Sequence, residues 1–581
     1  MNTQRRWLAI LMAIAIIATA CGGGSADEGA GASDSGDAVA DDDDDSGDSG
    51  ESETNVDDSA DGSDAVTADD VEEIAAGGEL RIGLQTEADS LNPTNTPLNR
   101  APILIATAVF DTLVVIDTEG QWQNNLSESW TPSDDLSSWE MTLREGILFS
   151  DGETLNADAV IRTADAFFSD PLTSLVFRPA FDPATPFEKV DDLTVRFNAS
   201  GPNAQLPAFF AEQVGMIGSP AWLDARDADP SLDQTPIGAG PYRIEERVQD
   251  RSTVLVPNEN YWRTDQTPNL DRIELFTDQS GNAAQTINSL LAGDLDLAHV
   301  TDAPEILTLR DEGDAITRIE DQGGEEFLFL MNAAVAPFDD IRVREAATAA
   351  FPQAAYNEFI TQGSTDQAQT LFSADTPWHN PDLQQQGDQP EVAAPLIEAY
   401  CADVPEQCTD GRVNIEYQHD ISDELNRTAT LVSDAWSDFF NVTLDVIPND
   451  QHINQVTLGA YGVATWRYHG FSDPDVDSIF LSCSTIGALS INFSRNCSPE
   501  RDALFEQQRA TTDFDERYDI WTEIQQDLID SYQYIVTEHI NWVVGADPSV
   551  GGICDATTPE GIAIPCQNSG VIRLPQLFLT N

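Results

Sequence analysis

Residues 236–262, PIGAGPYRIEERVQDRSTVLVPNENYW, constrain the fold more than any other stretch. Gly238 and Gly240 supply either positive φ or room for another backbone to approach, and Pro241 fixes its own φ near −65° while donating no hydrogen bond. The chain must change direction there. Tyr242 and Ile244 then alternate as strand residues do, a polar turn occupies 249–252, and Val254 and Val256 resume the alternation before the aromatic pair Tyr261 and Trp262. The run is expected to form a β-hairpin that ends in aromatics.

A chain of 581 residues is too long for one ordinary core and implies several domain-sized units. Its 27 Lys and Arg stand against 102 Asp and Glu, with Lys189 the only lysine, for a formal net charge of −75. Such a surface repels phosphates and anionic headgroups, which argues against nucleic-acid partners and against membrane binding through the general surface.

The amino terminus gives an address. Arg5 and Arg6 precede the unbroken apolar run 7–20, which has the length of a signal-peptide core rather than of a membrane span. Residues 1–20 are therefore expected to be an export signal. The following Cys21 sits in a sequence that resembles a bacterial lipobox, although Ala18 stands where that motif prefers Leu. This implies a lipid anchor at Cys21 that ties the protein to the membrane. From 21 to 76 the chain is rich in Gly, Ser, Ala, Asp and Glu, including five successive aspartates at 41–45. It has too little apolar surface to order itself and reads as a disordered, extended acidic tether.

Seven cysteines less Cys21 leave six, in the neighbouring couples Cys401 and Cys408, Cys483 and Cys497, and Cys554 and Cys566. An even number outside the cytoplasm implies disulfides. The local pairing closes three small loops and leaves no thiol over.

Order is expected from about Gly77, where Leu80, Ile82 and Leu84 alternate. In LREGILFSDGETLNADAV, Leu143, Ile147 and Phe149 read as buried strand positions, Asp151-Gly152 as a tight turn and Asn156 as the N-cap of a helix over 157–168. The alternation at 192–197 marks a strand, and the apolar residues of 207–222 suggest a helix. A helix over 283–292 should stop at Gly293, and Asp340 should cap another that Pro352 ends. Residues 502–531 carry apolar residues at helical spacing and read as two amphipathic helices.

These passages, in this order, resemble the family 5 extracellular solute-binding proteins, the dipeptide- and oligopeptide-type receptors of ABC importers. The 236–262 run, the LREGILFSDGETLNADAV passage, LLAGDLDLAHV and EEFLFLMNAAVAPFDDIRVREAATAAF carry the resemblance, which extends from about Gly77 to the end. Where the family has an Ile-Asp-Arg-like step, this chain has Phe351-Pro352-Gln353. The resemblance implies an α/β, two-lobed, periplasmic-binding-protein-like (type II, Venus flytrap) fold with an inserted subdomain. Lobe I is expected from 77–109, 236–326 and 535–581, the inserted subdomain II from 110–235, and lobe III from 327–534.

The resemblance implies a receptor that closes over a peptide or another small solute and docks on ABC permease subunits, as a monomer and with no cofactor. The stretch 464–477, ATWRYHGFSDPDVD, is the richest candidate for ligand contact. Trp466, Tyr468 and Phe471 offer flat surfaces, His469 lies between them, Arg467 can fork onto a carboxylate, and Asp473 and Asp475 can take an amine. Two further candidates are the loop 85–92, with Glu87 and Asn92, and Trp378. Peptide receptors of the family place an amine-holding carboxylate where Gly470 stands here, so the amine contact must come from a neighbour such as Asp473 or be absent. No Gly-x-Ser-x-Gly elbow, His-Glu-x-x-His helix or P-loop occurs, so no catalytic residue is expected. His419, His452 and His469 keep a metal or metallophore ligand open, an oligosaccharide is a further alternative, and a secreted hydrolase is the weakest.

Overall fold

Leu80, Ile82 and Leu84 are at most 2% exposed, which is why the strand Glu79–Leu84 lies inside a sheet rather than at its edge. The computed structural model describes residues 77–580 except 87–89, 97, 99, 278–282 and 470–472, together with the side chains of all but Asp450 and His469. The expected signal, lipid anchor and tether lie outside the described residues, as do Glu87 and Phe471.

The strand Glu79–Leu84 pairs in parallel with Arg272–Thr277 on one side and Leu297–Val300 on the other. The seven-stranded sheet continues through Trp542–Ala546 to Thr317–Asp321 at one edge, and through Ser252–Pro257 to Tyr242–Val248 at the other. The last two strands are the expected hairpin, antiparallel from Tyr242↔Pro257 to Val248↔Ser252. Its glycines act by close approach. A Cβ on Gly238 would lie 2.4 Å from the Val109 carbonyl oxygen and one on Gly240 2.4 Å from that of Ala108, so the turn is pressed against the helix Arg100–Phe110. The Gly240 N–H donates to Val109 O at 2.8 Å and seals that contact.

A four-stranded antiparallel sheet, Ser127–Pro132, Ser138–Leu143, Thr194–Asn198 and Phe187–Lys189, packs against the helix Ala157–Ser169. The Asn156 side chain accepts from the Ala159 N–H at 3.0 Å, the N-cap expected from sequence. Ile147 and Phe149 are buried but lie in a loop, because Gly146 (φ 82°) turns the chain after Leu143. The expected helix over 207–222 is two 3-10 turns, Leu206–Phe210 and Gln213–Gly215, followed by a helix that starts only at Pro220. Glycine explains the break. A Cβ on Gly215 would overlap the Phe210 carbonyl oxygen at 1.8 Å, a crossing that a continuous helix cannot make.

The remaining large sheet has six strands. Glu325–Met331 runs between Val463–His469 and Tyr534–His539, and Arg412–Asp420, next to Val463–His469, carries Phe440–Ile447 along its opposite edge and pairs with Cys408–Thr409 at its first two residues. Asp340 caps the helix Ile341–Ala349 by accepting from the Arg342 N–H at 2.9 Å, and Pro352 separates that helix from Gln353–Phe359. The amphipathic segment near the end is the pair Pro499–Arg509 and Phe514–Ser531. All three local disulfides form, Cys401–Cys408, Cys483–Cys497 and Cys554–Cys566.

The two large sheets are joined by two short crossings. Strand Thr317–Asp321 of the seven-stranded sheet leads into Glu325–Met331 of the six-stranded one, and Tyr534–His539 returns through two residues to Trp542–Ala546.

Candidate functional site

Strand Glu325–Met331 is buried at every position, yet it opens with two carboxylates on opposite faces. Glu325 faces three donors. Its Oε2 accepts from the Trp542 indole at 2.9 Å and from Arg467 at 3.0 Å, and Arg100 stands 4.0 Å from its Oε1. Glu326 is only 4% exposed, and its Oε2 has no hydrogen-bond partner. Burial, with Asp477 and Glu325 nearby, holds the Glu326 carboxyl well above the usual carboxylate range.

Glu326 forms part of the wall of a cavity of about 640 Å³ beside the first crossing. The helix Arg100–Phe110 contributes Arg100, Ile103 and Thr107 to one side, and the loop after Val114–Ile116 adds Asp117 and Glu119. Asp321 and Gly323 come from the first crossing, Phe372, Asp375 and Trp378 from the loop before the helix Pro390–Asp403, and Gln567, Asn568 and Arg573 from the carboxy-terminal segment. Its volume is in the range that holds a small organic solute.

Arg100, Ile103, Ile116, Ala211 and Glu212 also border a second, apolar space of about 180 Å³. Phe167, Phe177, Phe209 and Phe480 form its walls. Arg100, 3% exposed, donates to both Glu212 oxygens at 3.1 and 3.2 Å, so an ion pair stands where the polar and apolar spaces meet.

The sequence-derived site residues separate into distinct environments. Trp378 reaches the larger cavity while its ring packs on Phe514 and lies 5.0 Å from the Arg517 guanidinium. Asp473 borders the apolar space, but Arg517 holds its carboxylate with bonds of 2.9 and 3.0 Å. Asp475 accepts from Asn203 at 2.9 Å, Gln508 at 2.5 Å and Arg509 at 2.7 Å, and so ties the four-stranded sheet's surroundings to the helix Pro499–Arg509. Arg467 is engaged with Glu325 and lies over the Trp542 ring at 5.9 Å. Trp466 packs on Phe493 and His452, and Tyr468 on Phe480 and Tyr534. Asn92 is fully buried and donates to Asp233 at 2.8 Å, fixing its own loop.

The histidines are spread out too. His419 bonds its neighbour's carbonyl at 2.8 Å and His452 bonds Thr465 O at 2.9 Å. Among the described residues no three His, Cys, Asp or Glu side chains are grouped to hold a metal ion. None of the described helices is long and apolar enough to cross a membrane. Sequence reasoning passed over Glu326, Arg100, Glu212 and Arg573. The signal for Glu326 was two adjacent carboxylates opening an otherwise apolar strand.

Residues 121–487 match the model of the bacterial extracellular solute-binding proteins, family 5, middle, and the chain belongs to that family. It is 26% identical to heme-binding protein A of Haemophilus influenzae over 300 residues, 47% of this chain and about half, 52%, of that protein. It is 21% identical to the dipeptide-binding protein of Escherichia coli over 437 residues, 71% of this chain and 80% of that one. Among solved structures it is similar to the ABC transporter-associated periplasmic binding protein DppA of Helicobacter pylori in complex with the peptide STSA, with TM-score 0.74 and 18% identity, covering 87% of this chain and 99% of that chain. The fold is thus the two-lobed α/β architecture expected from sequence.

Proposed function

We propose that the protein is the extracytoplasmic substrate-binding component of an ABC importer, which captures a dipeptide or oligopeptide between its lobes and delivers it to a membrane permease without acting on it chemically. The observation that carries this reading is the cavity of about 640 Å³ beside the first crossing, where motion of one sheet relative to the other would open and close it. Family membership supports a binding role, and the peptide named for the Helicobacter pylori neighbour supports the solute class. A heme-binding relative keeps a non-peptide solute as the second reading.

Lobe I would comprise 77–109, 236–326 and 535–581, the inserted subdomain 110–235, and lobe III 327–534. Cys21 would carry the lipid that holds the monomeric receptor at the membrane, and three disulfides suit an oxidising compartment outside the cytoplasm. Within the 464–477 stretch, Asp473 borders the apolar space, and Arg467 keeps a side chain 39% exposed beside the first crossing. Isothermal titration of the purified protein with di- and tripeptides tests the reading. Saturable one-to-one binding with intact peptide recovered supports it, and hydrolysis of the peptide refutes it.

A further inference from the structure

We propose that Asn203 and Ala204, beside the four-stranded sheet, and Asp475, Val476 and Arg509, beside the six-stranded one, form a separable clasp that sets how long a captured solute is held. The hold on the solute rests on the receptor reading above, whereas the clasp itself does not.

Each side of the contact is held in place by its own surroundings. The Asn203 N–H donates to Leu136 O at 2.9 Å, its carbonyl accepts from the Trp139 indole at 2.8 Å, and its Oδ1 accepts from the Gln205 N–H at 2.8 Å. The amide Nδ2 remains, and it donates across the gap to Asp475 Oδ2 at 2.9 Å. Asp475 mirrors this arrangement. Its Oδ1 accepts from Gln508 and Arg509 at 2.5 and 2.7 Å, which leaves Oδ2 for Asn203. Beside that bond the Ala204 N–H donates to Arg509 O at 2.7 Å.

Val476 completes the contact. It is 9% exposed and belongs to the apolar cluster of Phe177, Phe209 and Phe210, whose other buried members, among the described residues, all come from 113–239. Yet the two faces are not packed as a core is. On one side of Val476 and Phe209 lies the apolar space of about 180 Å³, and on the other a cavity of about 460 Å³ between Ser200 and Gln205 on one wall and Ser482 and Thr485 on the other. Protein interiors are filled to near-crystalline density, so a few hydrogen bonds and one inserted side chain between two spaces make a joint suited to parting. The apolar space adjoins the larger cavity at Arg100, Ile103 and Ala211. Parting the clasp therefore frees one wall of the region where the solute would lie.

The test is amide-resolved hydrogen exchange of the full protein, as wild type, Asn203→Asp and Val476→Ala, with the Ala204 N–H as reporter. Asn203→Asp keeps the acceptor for Gln205 but sets a carboxylate against Asp475, and Val476→Ala trims the inserted side chain. In wild type the Ala204 amide should exchange about tenfold or more faster than the amides of Thr194–Asn198, because the clasp opens without unfolding the sheet. Both variants should speed it by a further tenfold or so, the worth of a hydrogen bond to a charged group or of two buried methyls, and leave the strand amides unchanged. Release of trialanine, followed by stopped flow, should quicken by the same factor while association is unaltered. An Ala204 amide as slow as the strand amides in wild type, or unmoved in both variants, overturns the clasp. Unchanged release alongside quickened exchange overturns its hold on the solute. If trialanine binds none of the three proteins, the receptor reading fails, and the exchange rates still decide the clasp.

Discussion

Glu325 and Glu326 are neighbours on one strand, 2% and 4% exposed, yet the fold treats them in opposite ways. On one face, Glu325 gathers an indole N–H and a guanidinium, and so fastens Trp542 of the return crossing and Arg467 of the adjacent strand to the first crossing. On the other face, Glu326 meets a cavity with an oxygen left over. A carboxylate fully answered by the fold holds the fold together. The same contrast separates Asp473, bracketed by Arg517, from Glu326.

The most severe way to probe this contrast is to remove an answered partner. Asp473→Ala leaves Arg517, 4% exposed, as a buried uncompensated charge, and should lower the urea-unfolding free energy by about 3–5 kcal/mol. Glu325→Gln keeps the shape but weakens charge-assisted bonds to Arg467 and Trp542, and should cost about 1.5–3 kcal/mol by the same measurement. Glu326→Gln should cost nothing and should stabilise at alkaline pH.

The sign of that pH effect follows from linkage. Glu326 ionises near 4.5 when unfolded and well above it when folded, so across that window the native state binds the extra proton and stability falls as pH rises. Glu538, raised to about 8 by burial and by Glu424, adds the same slope between about 4.5 and 8. Thermal melts from pH 5 to 9 should show the decline flattened in Glu326→Gln and in Glu538→Gln. His299, lowered by burial to about 4, acts in reverse, because stability is lost as pH falls from 6.5 through 4. As the smallest effect, Arg162→Ala removes exposed pairs with Asp224 and Asp227 and should change the unfolding free energy by no more than about 1 kcal/mol.

Much of the fold was readable in the sequence because it is written locally. The hairpin after Pro241, the caps at Asn156 and Asp340, and the three neighbouring cysteine pairs each depend on residues within a few positions of one another. The 207–222 segment was misread because its apolar spacing is the same for one helix as for two 3-10 turns, and only the contact of Gly215 with Phe210 O decides between them. The candidate site was less legible for a related reason. Whether Arg467 or Asp473 is available to a solute depends on Glu325 and Arg517, which lie far away in sequence and next door in space. The Glu325-Glu326 pair could have been noticed, since period-two alternation places one of two adjacent residues on each face of a strand.

The central claim is that a solute is held in the space between the first crossing and the helix Arg100–Phe110. The most direct test is titration of trialanine into wild type and into Ala211→Trp, whose indole would project where the polar and apolar spaces share a wall. Stoichiometric binding by wild type and a loss of about tenfold or more in the variant, roughly 1.4 kcal/mol, with its melting temperature unchanged, is the predicted result. Undiminished affinity in a folded Ala211→Trp would contradict the account, because the solute would then be bound somewhere else.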